Sequence, residues 1–332
     1  MNYKDFHIGV LGGGSWGTAL VKVVSSNTEN LHWWVRNKDI VENIKAYGKN
    51  PSYLRYADLP KTIDVSIDIN NVIRQSDILI VAIPSPFIKD AVLRVNRHML
   101  AEKKVFSAVK GIIPGEISTV TELLKIHFSV PSQNLGVISG PCHSEEVAME
   151  KYSFLTIGSY NMELAVEMQR LLTSRFMKIS LSDDVRGIEY ASILKNIIAI
   201  ASGISHGLGY GDNFQAVLIA NAVQEMKALL GKIESNGRNL AHSVYLGDVM
   251  VTAYSKFSRN RMLGNLLGKG YSVKASLTEM NMIAEGYYAV DSVMKIAEDK
   301  KLNMPVMKAV YNILYNNACA AEQVRLLASV LK

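Results

Sequence analysis

The sequence is poor in several things, and each shortage removes a class of function. Its 332 residues hold only two cysteines, Cys142 and Cys319. Two thiols far apart build neither a disulfide framework nor a metal cluster, and they suit a reducing cytoplasm. His143, His206 and His242 show no ligand spacing, so no metal site is expected. No apolar run approaches the eighteen or so residues of a membrane span, and the longest candidate is interrupted by Lys195 and Asn196. The opening MNYKDFHIGVLGGG has no basic stretch followed by an apolar core, so a secretory leader is not expected. Basic residues are scattered rather than clustered, and the net charge of +6 is modest, which argues against a nucleic-acid partner. There is no internal repeat and no low-complexity segment.

What remains is an ordinary globular composition, 48% hydrophobic and 20% charged, in a chain long enough for two domains. In the first half, seven short β-branched runs alternate with helix-length segments: HIGVLG, LHWWVR, DILIVAIP, KVFSAVKG, LGVISGP, FLTIGS and FMKISLS. That alternation predicts an α/β domain with a largely parallel sheet. PSPF reads as a helix start, with Ser85 as cap and Pro86 in the first turn. After about Val185 the strand runs cease and helical periodicity takes over, at 187–203, 214–231, 237–257, 276–299 and 304–331. SGISHGLGYGDN and GNLLGKG read as glycine-rich loops. The expected organisation is residues 1–186 as a Rossmann domain and 187–332 as an all-helical domain. Met250, Met262 and Met280 are expected in core gaps, and Tyr287 and Tyr288 in packing or a dimer surface.

The N-terminal run carries G-x-G-x-x-G at Gly12, Gly14 and Gly17, directly after a strand and at the mouth of a helix. The first glycine makes the tight turn, the second admits a pyrophosphate and the third lets helix and strand pack closely, with helix-end amides facing the phosphates. At the end of the second strand, where NAD-selective sites place a carboxylate for the ribose 2′-hydroxyl, the chain has Arg36, Asn37 and Lys38. A cation there suits a 2′-phosphate, so NADP(H) is expected to be accepted, alongside or instead of NAD(H).

Lys195 is the anomaly of the second half. Its helix, SILKNIIAIASG, is apolar or small on nearly every side, and a helix apolar all round is normally buried. A buried ammonium is costly unless it is paired or used. Lys110, Cys142 and Ser144 follow predicted strands, where a parallel sheet presents side chains to a ligand crevice.

These residues, in this order, resemble the bacterial NAD(P)-dependent glycerol-3-phosphate dehydrogenases. The likeness rests on GGGSWG, VKG, SGPCHSEEVA, LKNIIAIASG, GDN, GD, SRNR and AEG, spread along nearly the whole chain. It implies interconversion of sn-glycerol 3-phosphate and dihydroxyacetone phosphate for glycerophospholipid synthesis. It implies Lys195 as proton acceptor and donor, with Lys110 as second cation and Asp248 orienting the ammonium. Gly140, Cys142, Ser144, Ser258, Arg259 and Asn260 become substrate contacts. Ser15, Trp16, Arg259, Ile283 and Glu285 become cofactor contacts beside the glycines, Arg36 and Lys110. Where the family's pattern has a phosphate-gripping arginine, this chain has Asn221, so either Arg259, Arg261 or Lys274 takes the phosphate, or affinity is weaker, or the substrate differs. A homodimer is compatible with the large helical domain. Two alternatives are a β-hydroxyacid or ketopantoate reductase, which shares the two-domain plan, and a nucleotide-binding protein without catalysis.

Overall fold

A computed structural model describes residues 6–92, 94–235, 237–280 and 282–332. Its contacts divide the chain into two units: Met1–Val109 with Ser118–Val185, and Lys110–Ile117 with Arg186–Lys332. The division falls within two residues of the composition change in the sequence. The eight residues from Lys110 belong to the second unit, although the sequence reading placed them in the first.

Among the described residues the first unit holds eight strands: β1 (Ile8–Leu11), β2 (Leu31–Trp34), β3 (Asp64–Ser66), β4 (Ile78–Val81), β5 (Lys104–Ser107), β6 (Leu135–Ser139), β7 (Ser153–Ser159) and β8 (Met177–Ser182). They form one sheet in the order β3-β2-β1-β4-β5-β6-β7-β8, parallel except where β6 meets β7. β1 lies beside both β2 and β4, with Val10 opposite Trp33 on one side and Ile80 on the other. All four residues of β1 and of β4 are buried, as strands covered on both faces must be. The sequence missed β3, which has three residues and buries only Val65; so short an edge strand leaves no periodic signal.

The described residues of this unit also form eight α-helices: α1 (Ser15–Val24), α2 (Lys38–Tyr47), α3 (Ile69–Gln75), α4 (Ile88–Val92), α5 (Arg97–Leu100), α6 (Val120–Phe128), α7 (Ser144–Ala148) and α8 (Met162–Leu172). Side-chain caps fix several starts: Asn37 accepts from the amides of Asp39 and Ile40, and Thr119 forms a reciprocal box with Glu122. PSPF departs from expectation. Ser85–Phe87 is a single 3₁₀ turn after Pro84, and α4 begins only at Ile88, so Ser85 lies within the turn rather than capping a helix.

The second unit is built on α9 (Val185–Gly207), followed by α10 (Asp212–Ile233), α11 (Asp248–Tyr254), α12 (Arg259–Gly268), α13 (Val273–Glu279), α14 (Glu285–Asp299), α15 (Pro305–Tyr315) and α16 (Ala320–Ala328). Every residue of α9 from Gly187 to Ser205 is buried. By length and hydropathy α9 could cross a membrane, yet its apolar window is wholly buried inside the fold. Two expected long helices are each broken in two, at 280 and 282–284 and at 316–319, and GNLLGKG is largely helix rather than loop. Met250 and Met262 lie on the surface, not in core gaps, and Met280 is half-buried. Tyr287 stacks on Tyr315 at 5.3 Å and meets Tyr288 edge-on.

The reason for that helix is packing. Gly203 and Gly207 of α9 face Gly264 and Gly268 of α12, two G-x-x-x-G pairs meeting backbone to backbone. A Cβ on Gly203 would lie 2.1 Å from the Arg261 carbonyl oxygen, and one on Gly264 would lie 2.1 Å from that of Ile200. Backbone cannot yield as a flexible side chain can, so Gly264→Ala is expected to cost about 3 kcal/mol in urea unfolding. Gly231→Ala, in the last turn of α10 with open space at its Cβ, is expected to be neutral or to stabilise by about 0.5–1 kcal/mol in the same experiment.

Candidate active site

In an open parallel sheet, ligands bind beyond the strand C-termini where the strand order reverses. Here that point lies between β1 and β4. A cavity of about 290 Å³ opens there, lined by Gly12, Gly13 and Gly14 from the first turn, Arg36 and Asn37 after β2, and Pro84 and Phe87 after β4. Gly12 has φ +130°, and a Cβ there would meet the Ala82 carbonyl oxygen at 2.5 Å. Gly17 is pressed against the Gly12 carbonyl, where a Cβ would lie 2.0 Å from the oxygen. Gly14 is different: nothing lies within 4 Å of its Cβ position, so its backbone faces open space. A dinucleotide pyrophosphate fits such a turn.

Three side chains hold the turn by its carbonyls. Trp33 Nε1 donates to the Gly12 oxygen at 2.9 Å, Asn50 Nδ2 to that of Gly13 at 3.0 Å, and Thr18 Oγ1 to that of Gly14 at 2.9 Å. Asn50 also donates to Thr18 Oγ1 at 2.9 Å and is wholly buried. Sequence reading missed all three; only Thr18 has a local signal, one turn into α1. Ser15 and Trp16 form the first turn of α1, Ser15 buried and Trp16 half-buried.

The Arg36 guanidinium sits over the Phe87 ring at 5.3 Å on the wall of the cavity. Asn37 is committed to capping α2. No carboxylate ends β2, though Asp90 of α4 lines the same cavity. Gly140, Cys142 and Ser144 lie at the end of β6 and the start of α7 and are not among the lining residues of this cavity. Gly140 has φ +138°, the Cys142 thiol donates to the Phe154 carbonyl at 3.2 Å, and the Ser144 hydroxyl donates to Glu145 Oε2 at 3.1 Å.

In the helical unit, three charged residues expected to act together do meet. Lys195 is paired with Asp248 Oδ1, and the two are 4% and 1% exposed. Burial lowers the Lys195 ammonium most strongly, Asp248 opposes that lowering and the Lys110 ammonium adds to it, so that the group is brought down to about 7. A lysine so poised accepts or donates a proton near neutrality, as an unperturbed surface lysine does not.

Thr252, one turn after Asp248, donates from Oγ1 to the Asp248 carbonyl at 2.6 Å, with Oδ1 at 3.5 Å. Asn196 donates from Nδ2 to the Lys110 carbonyl at 2.7 Å. Neither was singled out from sequence; the i+4 spacing of Thr252 and the direct adjacency of Asn196 to Lys195 are the available signals.

Ser258 is the N-cap of α12, accepting from the Arg261 amide at 3.2 Å. Arg259 opens that helix half-buried, and Asn260 Oδ1 accepts from the Gly286 amide at 2.9 Å. Ile283 is half-buried in the segment before α14, and Glu285 is the first residue of that helix. Asn221 lies on α10, where its side-chain amide donates to the Lys332 carbonyl at 2.8 Å and accepts from the Lys332 amide at 3.2 Å. Among the described residues no group of three or more His, Cys, Asp or Glu could hold a metal ion.

A dinucleotide cradle and a buried lysine poised near neutrality define a nicotinamide-dinucleotide-dependent oxidoreductase. The chain belongs to the NAD-dependent glycerol-3-phosphate dehydrogenase family, whose N-terminal model matches residues 7–165 and whose C-terminal model matches 184–325. A glycerol-3-phosphate dehydrogenase [NAD(P)+] of Staphylococcus aureus is 34% identical over 320 residues, 96% of each chain. The crystal structure of glycerol-3-phosphate dehydrogenase from Coxiella burnetii superposes with a TM-score of 0.90 at 28% identity, covering 98% of this chain and 99% of that one. A ketopantoate reductase from Ralstonia eutropha shares the fold more distantly, with a TM-score of 0.59 at 15% identity over 95% of this chain and 99% of that one.

The three carbonyl anchors generate one test of the cradle. Trp33→Phe keeps the ring but deletes the donor to Gly12, leaving a buried carbonyl unpaired at a cost of about 1–3 kcal/mol. Isothermal titration is expected to show NADPH binding weakened by about tenfold or more while the protein stays folded.

Proposed function

We propose that this protein interconverts sn-glycerol 3-phosphate and dihydroxyacetone phosphate with NAD(P)(H), supplying the backbone of glycerophospholipids. The observation that carries the reading is the buried Lys195–Asp248 pair with Lys110 acting on it. Bound nicotinamide dinucleotide supplies the acceptor for the hydride leaving C2, or its donor in the reverse direction.

The chain's own residues handle the proton. As the C2 alcohol is oxidised its hydroxyl proton passes to Lys195 Nζ, and as the ketone is reduced the same nitrogen returns it. Asp248 orients the ammonium, and Thr252 steadies Asp248 from the next turn. The Lys110 ammonium opposes full protonation of Lys195 and polarises the substrate oxygen. Arg259 takes the phosphate, to which a guanidinium fork is matched. Ser258, Asn260, Gly140, Cys142 and Ser144 complete the substrate contacts in this reading. Ser15, Trp16, Ile283 and Glu285, with Arg259, Lys110 and the glycine turn, complete those to the cofactor. Arg36 on the cavity wall supports acceptance of a 2′-phosphate. The buried Lys195–Asp248 pair favours this reading over a nucleotide-binding protein without catalysis, and family membership favours it over a ketopantoate-type reductase.

Cys142 and Cys319, neither of them in a disulfide, support a cytoplasmic location. A homodimer belongs to the same reading, supported by exposed apolar side chains such as Tyr152 and Phe154, and sedimentation velocity tests it.

Mixing dihydroxyacetone phosphate with reduced cofactor and following its absorbance tests the reaction; oxidation only with other keto acids would overturn it. Lys195→Met is expected to lose turnover by about 10²–10⁴-fold while still binding NADPH. Alcohol oxidation needs the neutral amine, so its rate is expected to rise with pH through about 7, and ketone reduction, which needs the ammonium, to fall over the same range. Arg36→Ser is expected to raise KM for NADPH by about tenfold or more, with that for NADH little changed; equal effects on both would remove Arg36 from cofactor choice.

A further inference from the structure

Lys110 acts on Lys195 through its charge, and charge depends on distance. Something must therefore hold Lys110 in place. It is the first residue of Lys110–Ile117, the short segment that groups with the helical unit between two stretches that do not. One tie is Asn196, whose side-chain amide donates to the Lys110 carbonyl at 2.7 Å. Asn196 is itself immobilised. It is 5% exposed, and Gly286 packs so tightly on it that a Cβ there would lie 2.8 Å from the Asn196 carbonyl oxygen. Gly286 is in turn fastened by its amide to Asn260 Oδ1 at 2.9 Å.

We propose that Asn196 is a positioning residue for the proton transfer: by gripping the main chain at Lys110 it keeps that ammonium beside Lys195 and so tunes Lys195 as a base. The inference rests on the reading of Lys195 as the proton-transfer group. The charged groups acting on Lys195 are Asp248 on α11 and Lys110; Arg259 and Glu285, adjacent in sequence to Asn260 and Gly286, are not among them. With the Asn196 donor gone, the Lys110 segment loses this tie, the ammonium moves away, and Lys195 holds its proton to higher pH. Oxidation of the alcohol, which needs the neutral amine, then weakens at low pH. Reduction of the ketone, which needs the ammonium, persists to higher pH. A packing defect alone lowers both directions at every pH and cannot produce opposite signs.

The test is the full-length protein with Asn196→Leu, branched in the same way but unable to donate, assayed in both directions across pH. The midpoint for glycerol 3-phosphate oxidation is expected to rise by about one pH unit, so turnover falls about tenfold near pH 6 and recovers to within about twofold at high pH. The reductive midpoint is expected to rise with it. Combined with Lys110→Met, Asn196→Leu is expected to add no further shift, because the charge it positions is gone. If Asn196→Leu does not fold, Asn196→Ala is measured instead. Nitrogen-15 NMR titration of the Lys195 Nζ reads the same midpoint without turnover. An unchanged midpoint, or a uniform loss at every pH, overturns the positioning role. A Lys195→Met variant that retains normal turnover overturns the proposed function itself, so the two failures are distinguishable.

Discussion

The site depends on taking one ammonium group out of water. Lys195 sits in a helix buried along almost its whole length, where an uncompensated charge would cost several kcal/mol. Asp248 makes the burial tolerable and Lys110 keeps it from becoming comfortable. Had only the carboxylate been present, the pair would hold its proton firmly and Lys195 would serve as a structural ion pair. Had only the second cation been present, the amine would stay neutral and nothing would return a proton. The opposition of the two leaves Lys195 near neutrality, where a group acting as both acid and base, the role proposed for it, is most effective.

Around that constraint the helical unit is arranged as support. Ser202 of α9 donates to Gln215 Oε1 and lies 2.9 Å from the Ala253 carbonyl oxygen, while Gln215 Nε2 donates back to the Ser202 carbonyl at 2.9 Å, so buried polar groups on α9, α10 and α11 satisfy one another. Glu225 of α10 accepts from the Val306 and Met307 amides at 2.7 and 3.2 Å and so caps α15 from another helix. The glycine contact between α9 and α12 fixes the helix that begins Arg259-Asn260 against the helix that bears Lys195. The glycine turn in the first unit follows the same logic. Its carbonyls are engaged by Trp33, Asn50 and Thr18, which holds the turn in shape before any cofactor arrives and limits reorganisation on binding.

Much of this was legible in the residues, and the parts that were not share a physical character. Alternating apolar runs announced seven of the eight strands, and the change of period near Val185 announced the helical unit, because both patterns are local. The fingerprint glycines were legible for the same reason. Lys195 stood out by contrast with its neighbours. The three-residue β3 has too little sequence to be periodic. GNLLGKG looked like a loop because glycine disfavours helix in isolation, whereas here a close helix contact requires it. The breaks at 280, 282–284 and 316–319 fall in long helical patterns with no proline at the break itself. Met250 and Met262 were expected inside on residue type alone, and their outward placement follows from helix faces that a list of methionines does not reveal. Trp33, Asn50 and Asn196 were invisible for a deeper reason: each acts on a backbone carbonyl, and a carbonyl has no letter in the sequence.

The grouping of Lys110–Ile117 with the helical unit also bears on how such a chain can be taken apart. The polypeptide visits that unit, leaves it and returns for good after Val185. Cutting at the composition change would therefore yield a helical piece stripped of the cation that keeps its lysine labile. Anyone grafting this half onto a foreign nucleotide-binding half would have to carry eight residues from the middle of the other one. The functional boundary is a braid, not a seam.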